Sequence, residues 1–173
     1  MATHCKIYYW RVATLAAASA CALLLTCTIA SASASPAEPC SVLPAAELAT
    51  VLGQQFAAPT NSPMPAAVAN GVTGTQCRYR TLAGPARTVT LIIYFDASAA
   101  EAQANLSQLA NIFHPIQTLT GIADTVYLDA GHAVHARQGR ARYYLNIAPV
   151  GSFTPETQKN LTDLTAYVAT QIK

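Results

Sequence analysis

Three stretches of the chain have the apolar spacing of amphipathic helices. In the first, residues 43–52, the apolar side chains fall on one face of the predicted helix. Pro44 suits the first turn of this helix, and Gly53 is a natural residue to end it. The proline- and glycine-rich residues 54–75 that follow are predicted to form a loop.

The second and third predicted helices begin with capping signals. Ser98-x-x-Glu101 has the pattern of a capping box, and Thr154-Pro155 is a cap followed by a proline that fits the first turn. Pro115 is expected to end the second helix. The inward side chains predicted for these helices are Ala102, Leu106, Leu109 and Phe113 in the second and Leu161, Leu164, Val168 and Ile172 in the third.

Alternation of apolar and polar residues predicts five strands. Residues 76–81 and 87–95 form a first hairpin. Residues 125–147 then turn back at Ala130-Gly131 and again at Gln138-Gly139, which are signals for two tight turns. The order α-β-β-α-β-β-β-α contains no convincing βαβ unit. We therefore expect an α+β fold in which helices pack on a mostly antiparallel five-stranded sheet.

The alternation also assigns side chains to two faces of this sheet. Tyr143 and Leu145 are expected in the core, whereas Arg142 and Tyr144, on the opposite face, are expected to be exposed. The polar residues of that face form a candidate binding surface, which comprises Arg78, Arg80, Tyr94, His135, Arg137, Arg140, Arg142 and Tyr144.

The two predicted tight turns set a register for this surface. Val126 should lie beside His135, and Asp124 beside Arg137. His135 should in turn face Arg142 on the next strand. Arg and Tyr side chains on a rigid sheet suit an anionic or aromatic ligand through bidentate hydrogen bonds and stacking. A sheet face that is merely solvated is the alternative interpretation.

The first 34 residues have the three parts of a secretory signal peptide. Lys6 and Arg11 give a positive start, residues 12–30 carry no charge, and small residues follow in A-x-A order. We therefore expect residues 1–34 to be removed on export and residues 35–173 to form a single periplasmic or secreted domain. An uncleaved membrane anchor is the alternative.

A second alternative for the leader is lipidation. Leu24-Leu25-Thr26-Cys27 resembles a bacterial lipobox, whose cysteine becomes the lipidated first residue. Thr26 stands where that motif usually has Gly, Ala or Ser. Only lipid anchoring through Cys27 would make a membrane the partner of the exported domain.

Charge and cysteine content narrow the class of protein. The chain has ten Lys and Arg and eight Asp and Glu, but Lys6 and Arg11 lie in the leader, so eight residues of each sign remain after it. This balance argues against a nucleic-acid partner. Cys40 and Cys77 are the cysteines that remain, and in an oxidising compartment we expect them to form a disulfide. A metal pair or two free thiols are the alternatives.

No residue pattern in the sequence points to catalysis or to a cofactor. His132 and His135 would lie together on a helix, but on a strand their spacing separates them, so no metal site is predicted. The chain has neither a G-x-S-x-G motif nor a Gly-rich phosphate loop. We therefore expect no catalytic residues and no cofactor.

Four segments resemble a group of exported proteins. They are Pro39-Cys40 with the helix that ends at Leu52-Gly53, Cys77-Arg78-Tyr79, Gly121-Ile122-Ala123-Asp124, and the closing helix. This order resembles exported bacterial domains of unknown function, common as actinobacterial lipoproteins, in which a second Gly stands at the position of Ala123. The layout is also similar to the extracellular sensor domain of mycobacterial serine/threonine kinases. The resemblance implies an exported α+β domain with a disulfide and supplies no catalytic residues.

The function expected from the sequence is non-catalytic extracytoplasmic ligand binding or sensing. The ligand would be a small anionic or aromatic molecule. The runner-up is an exported protein-interaction module, such as an inhibitor or an envelope assembly factor, whose partner would be an envelope protein. An enzyme is the third alternative.

Overall fold

The computed structural model describes residues 38–69, 71–149 and 153–172, which belong to one compact unit. The expected signal peptide and lipobox lie outside these residues. A short 3-10 helix at Pro39–Ser41 precedes the helices α1 (Ala45–Leu52), α2 (Ala99–Phe113) and α3 (Pro155–Gln171). The strands are β1 (Thr60–Met64), β2 (Gly74–Arg80), β3 (Thr88–Phe95), β4 (Pro115–Leu119), β5 (Thr125–Asp129), β6 (Val134–Gln138) and β7 (Ala141–Ala148).

The seven strands form one open antiparallel sheet in the order β1-β2-β3-β7-β6-β5-β4. This confirms the α+β class and corrects the strand number from five to seven. The two added strands, β1 in the predicted loop and β4 directly after α2, are the edges of the sheet. An edge strand tolerates Pro63 and Pro115 because it has a neighbour on one side only. These two segments were not predicted as strands because each contains a proline.

The capping signals place the helices where the sequence predicted them. The Ser98 hydroxyl accepts a hydrogen bond from the Glu101 N–H at 3.1 Å, and the Glu101 carboxylate accepts one from the Ala97 N–H at 3.2 Å. The Thr154 hydroxyl accepts a hydrogen bond from the Thr157 N–H at 3.1 Å. These bonds satisfy amide groups of the first turn that have no partner within the helix.

The helices divide between the two faces of the sheet. α1 and α3 pack on the face that carries Tyr143 and Leu145, which are buried as predicted. The Tyr143 hydroxyl donates a hydrogen bond to the Thr165 carbonyl of α3 at 3.1 Å, which satisfies its one polar group in the core. α2 packs on the opposite face, against β6 and β7. The polar face is therefore partly covered.

The register of the last three strands differs from the predicted one. The faces of β6 and β7 are as predicted, but on β5 Val126, which was expected beside His135, lies opposite Ala136 on the core face. Tyr127 rather than Val126 lies opposite His135, because residues 130–133 make a four-residue connection in place of a two-residue turn. The Asp129 carboxylate closes this connection by accepting a hydrogen bond from the Ala133 N–H at 2.9 Å.

The second turn is shifted by one residue. Gly139 and Arg140 are its central residues, and Gly139 has a φ of 55°, which glycine adopts without strain. His135 consequently faces Tyr144, and Arg137 faces Arg142. The predicted pairing of His135 with Arg142 is therefore wrong.

A disulfide between Cys40 and Cys77 ties the start of the domain to β2, as predicted. The Cα atoms are 5.3 Å apart, within the range that a disulfide spans. On the same side of β2, the buried Tyr79 hydroxyl donates a hydrogen bond to the Leu43 carbonyl at 2.6 Å. Two neighbouring side chains on the core-facing side of β2 therefore attach this strand to the start of the domain.

We expect removal of the disulfide in the Cys40→Ala/Cys77→Ala variant to lower the free energy of unfolding by about 3–4 kcal/mol, because the bond closes a loop with a sequence separation of 37 residues. Denaturant titration with and without a reductant measures the effect. The reductant should destabilise the wild type and leave the double variant unchanged. Equal stability of the oxidised wild type and the variant would contradict the prediction.

Candidate functional site

Arg142 and Asp96 form a buried ion pair between β7 and the segment that leads from β3 into α2. Arg142 is 1% exposed and Asp96 0%. The Arg142 Nε donates to Asp96 Oδ2, and Nη2 donates to Oδ1 at 3.1 Å. Two parallel hydrogen bonds of this kind are the strongest arrangement between a guanidinium and a carboxylate. The expected exposure of Arg142 is therefore wrong, and this residue is a structural link.

The surroundings complete this link. The Asn105 side chain of α2 donates to Asp96 Oδ1 at 2.8 Å. The guanidinium carbon of Arg142 lies 4.9 Å from the centre of the Tyr94 ring, within cation–π distance. Among the described residues, Arg142 Nη1 has no hydrogen-bond acceptor. The buried ring of Tyr94 is therefore an additional partner of the Arg142 guanidinium, beside the carboxylate of Asp96.

His135 lies under the end of α2. Its ring stacks on Phe113 at a centroid distance of 3.7 Å, and the Tyr144 ring meets it edge-on at 5.1 Å. Its Nε2 is 2.8 Å from Asp129 Oδ2. Burial lowers the pKa of His135, whereas the hydrogen bond and the charge of Asp129 act in the opposite direction. Burial is the larger effect, so the ring favours its neutral form and donates Nε2–H to the carboxylate.

A histidine oriented by a carboxylate is two-thirds of a hydrolase triad. Among the described residues, however, Asp129 is the one side chain that forms a hydrogen bond with His135, so no hydroxyl or thiol is placed to act as a nucleophile. His132 lies in the β5–β6 connection, where its ring stacks on Phe153 at 4.1 Å. Within the described ranges, no three His, Cys, Asp or Glu residues group as metal ligands would.

Arg137 is also engaged in structure. Its Nη1 donates to Asp124 Oδ2 at 2.9 Å, although Thr125, and not Asp124 as predicted, is the strand partner of Arg137. Its Nε donates to the Gln103 side chain of α2 at 2.9 Å. Arg140 is exposed in the β6–β7 turn, where its guanidinium carbon lies 5.9 Å from the centre of the Phe95 ring. Arg137 therefore binds α2, whereas Arg140 belongs to the turn between β6 and β7.

The part of the polar face away from α2 forms a different environment, which we call the open face. It consists of Gln76, Arg78 and Arg80 on β2, Thr88 and Thr90 on β3, and Asn146 on β7. Arg78 and Arg80 are exposed, and neither forms an ion pair with any residue of the described ranges. Thr90 lies opposite Arg78, and Thr88 lies opposite Arg80. The two cations are therefore available to a partner.

The predicted candidate surface is thus divided into two parts. Arg78 and Arg80 lie on the open face and form no ion pair with any described residue. By contrast, His135, Arg137, Arg142 and Tyr144 lie at or under α2, Tyr94 lies beside Arg142, and Arg140 lies in a turn. Reasoning from strand alternation alone missed Asp96, which pairs with Arg142, and Asn105, which donates a hydrogen bond to Asp96. A carboxylate directly after the strand that contains Tyr94 is the one signal for this pair in the sequence.

No known protein-family model matches this chain, and neither does any curated protein or solved structure. The resemblance to exported bacterial domains and to kinase sensor domains stays a prediction. No helix among the described residues is long and apolar enough to cross a membrane.

We expect Arg142→Met to lower the free energy of unfolding by about 3–5 kcal/mol, because it leaves the carboxylate of Asp96 buried without a cation. Arg140→Ala removes the same charge from an exposed turn and should change stability by less than about 0.5 kcal/mol. Chemical denaturation of both variants makes the comparison. A similar loss in the two variants would show that the buried pair contributes little.

We expect the stability of the domain to fall on mild acidification, in part through His135. The unfolded chain has a histidine pKa of about 6.5, and the folded state has a lower one, so between these values the unfolded state binds more protons. The contribution of His135 to the free energy of unfolding is complete above the histidine pKa of the unfolded chain. It decreases as the pH drops below that value, by at most about 1.4 kcal/mol per pH unit. Denaturant titrations on either side of this pKa should show a shallower pH dependence for His135→Gln than for the wild type. Identical slopes would contradict the assignment.

Proposed function

We propose that this chain is a non-catalytic, exported ligand-binding or sensing domain that captures an anionic group on its open face. The observation that carries the proposal is the construction of β2. Arg78 and Arg80 project outward, while Cys77 and Tyr79, which alternate with them along β2, are fixed to the start of the domain by the disulfide and by a hydrogen bond. Two arginines that form no ion pair with any described residue therefore lie on a backbone that is held in place from the opposite face.

A fixed backbone lowers the entropic cost of binding. Ordering a flexible side chain at an interface costs about 0.5–1.5 kcal/mol, and ordering its backbone would add to this. Here the backbone of both arginines is set before the ligand arrives. The guanidinium fork matches carboxylate, phosphate or sulfate oxygens in a bidentate manner.

The neighbouring side chains fit the same kind of ligand. Gln76, Thr90 and Asn146 can donate hydrogen bonds from their amide or hydroxyl groups on the same face. None of the six residues that make up the open face is acidic, whereas two of them are arginines. The open face therefore favours a negatively charged group.

Export is supported by the disulfide, which fits an oxidising compartment. It is also supported by the signal-peptide pattern of residues 1–34. A periplasmic or secreted location accounts for both features.

An exported protein-interaction module is the second candidate, and the ordered edge strand β1 favours it. The open face continues onto this strand, where the Ser62 hydroxyl is 3.4 Å from the side-chain oxygen of Gln76. A surface that extends across several strands can contact a macromolecule as well as a small ligand. An acidic segment of an envelope protein would use the same two arginines.

We expect inorganic phosphate and an oligoglutamate peptide to perturb backbone NMR resonances of β2 and β3 on the open face. Arg78→Ala/Arg80→Ala should abolish the perturbation, because it removes both unpaired cations, and should leave the fold intact. Tighter binding of phosphate supports ligand sensing, whereas tighter binding of the peptide supports the interaction module.

Arg140→Ala/Lys159→Ala is the matched control, since it also removes two exposed charges but leaves the open face unchanged. It should bind both probes as the wild type does. If the control and the Arg78/Arg80 variant lose binding to the same extent, the attraction is a general charge effect and the proposed site is wrong. Absence of any perturbation by either probe would also refute it.

A further inference from the structure

A concave site lies on the face of the sheet opposite the open face, near the β2–β3 turn. It is a cavity of about 480 Å³ between the end of α1, the β2–β3 turn, the end of β7 and the first turns of α3. This volume is within the range of small-molecule sites. Leu52 and Ile147 provide an apolar lining, together with Pro85 from the turn and Pro149 after β7.

Two opposite charges line this cavity. Arg87 enters from the residue before β3, and Glu156 enters from the first turn of α3. Within the described ranges, neither side chain takes part in an ion pair, although both face the same space. Asn160 and Thr157 of α3 add hydrogen-bonding groups to the lining.

The backbone of both charged residues is fixed. The Arg87 N–H donates to the Thr81 hydroxyl at 3.0 Å, and the Arg87 carbonyl accepts from the Thr81 N–H at 3.1 Å. Glu156 lies in a turn that the Thr154 cap closes. The positions of the two charges are therefore set by the hairpin and by the helix, and not by contact with each other.

This combination selects against simple ions. A monovalent anion would be attracted by Arg87 and repelled by Glu156, and a simple cation would meet the reverse. A molecule that carries both charges next to an apolar body satisfies the two residues and also covers the apolar lining. We propose that the cavity binds a zwitterion with an apolar side chain, that is, a free apolar amino acid or a short apolar peptide. The carboxylate would pair with Arg87 and the ammonium group with Glu156.

The test is calorimetric titration of the whole exported domain with L-leucine and with L-leucyl-L-leucine, which distinguish a free amino acid from a peptide. The single-charge analogues N-acetyl-L-leucine and L-leucinamide should bind at least about tenfold more weakly, because each lacks one charge-assisted contact. Arg87→Ala and Glu156→Gln should each weaken zwitterion binding by a similar factor. Their thermal unfolding should stay close to that of the wild type, since both positions are at least partly exposed.

The pattern across analogues and variants decides the outcome. In Glu156→Gln, L-leucine and N-acetyl-L-leucine should bind with nearly equal affinity, because the ammonium group has lost its partner. Arg140→Ala, far from the cavity, should bind as the wild type does. Equal binding of the zwitterions and the single-charge analogues by the wild type would overturn the proposal, as would the absence of heat with both zwitterions at millimolar concentration. The cavity and the open face lie on opposite faces of the sheet, so failure of one site does not affect the argument for the other.

Discussion

The buried pair of Arg142 and Asp96 is the interaction on which the rest of the structure depends. A charge buried without a partner is strongly unfavourable, so β7 and the segment entering α2 must stay in contact once both residues are removed from water. Asn105 adds a bond from α2 to the same carboxylate. The pair thereby fixes the helix on one half of the polar face.

This placement of α2 determines which basic residues are available for binding. Arg137 and Arg142 are bound to carboxylates and to polar groups of the loop and helix. Arg78 and Arg80 lie on the part of the face that α2 does not reach, and Arg87 lies on the opposite face beside a cavity. A domain with balanced charge thus offers local cationic positions, and the two binding proposals rest on these positions.

The hairpin formed by β2 and β3 connects the two proposed sites. Its outward residues contribute Arg78 and Arg80 to the open face, and the residue before β3 contributes Arg87 to the cavity. The disulfide at Cys77 and the hydrogen bond of Tyr79 hold this hairpin against the core. A hairpin that is anchored in this way therefore carries three arginines that form no ion pair with any described residue, which is the arrangement that preorganised recognition requires.

The sequence by itself determined features that depend on neighbours along the chain. Ser98, Glu101 and Thr154 cap helices through bonds that span three or four residues, and strand alternation correctly separated Leu145 from Arg142. The disulfide was predicted from the two cysteines, Cys40 and Cys77, that follow the predicted leader. The tertiary structure decided what covers each face, because α2 reaches Arg142 through Asp96, 46 residues earlier in the chain. It also decided the edge strands and the register, since a strand partner is chosen by packing across the sheet, and local periodicity does not encode which residue lies opposite.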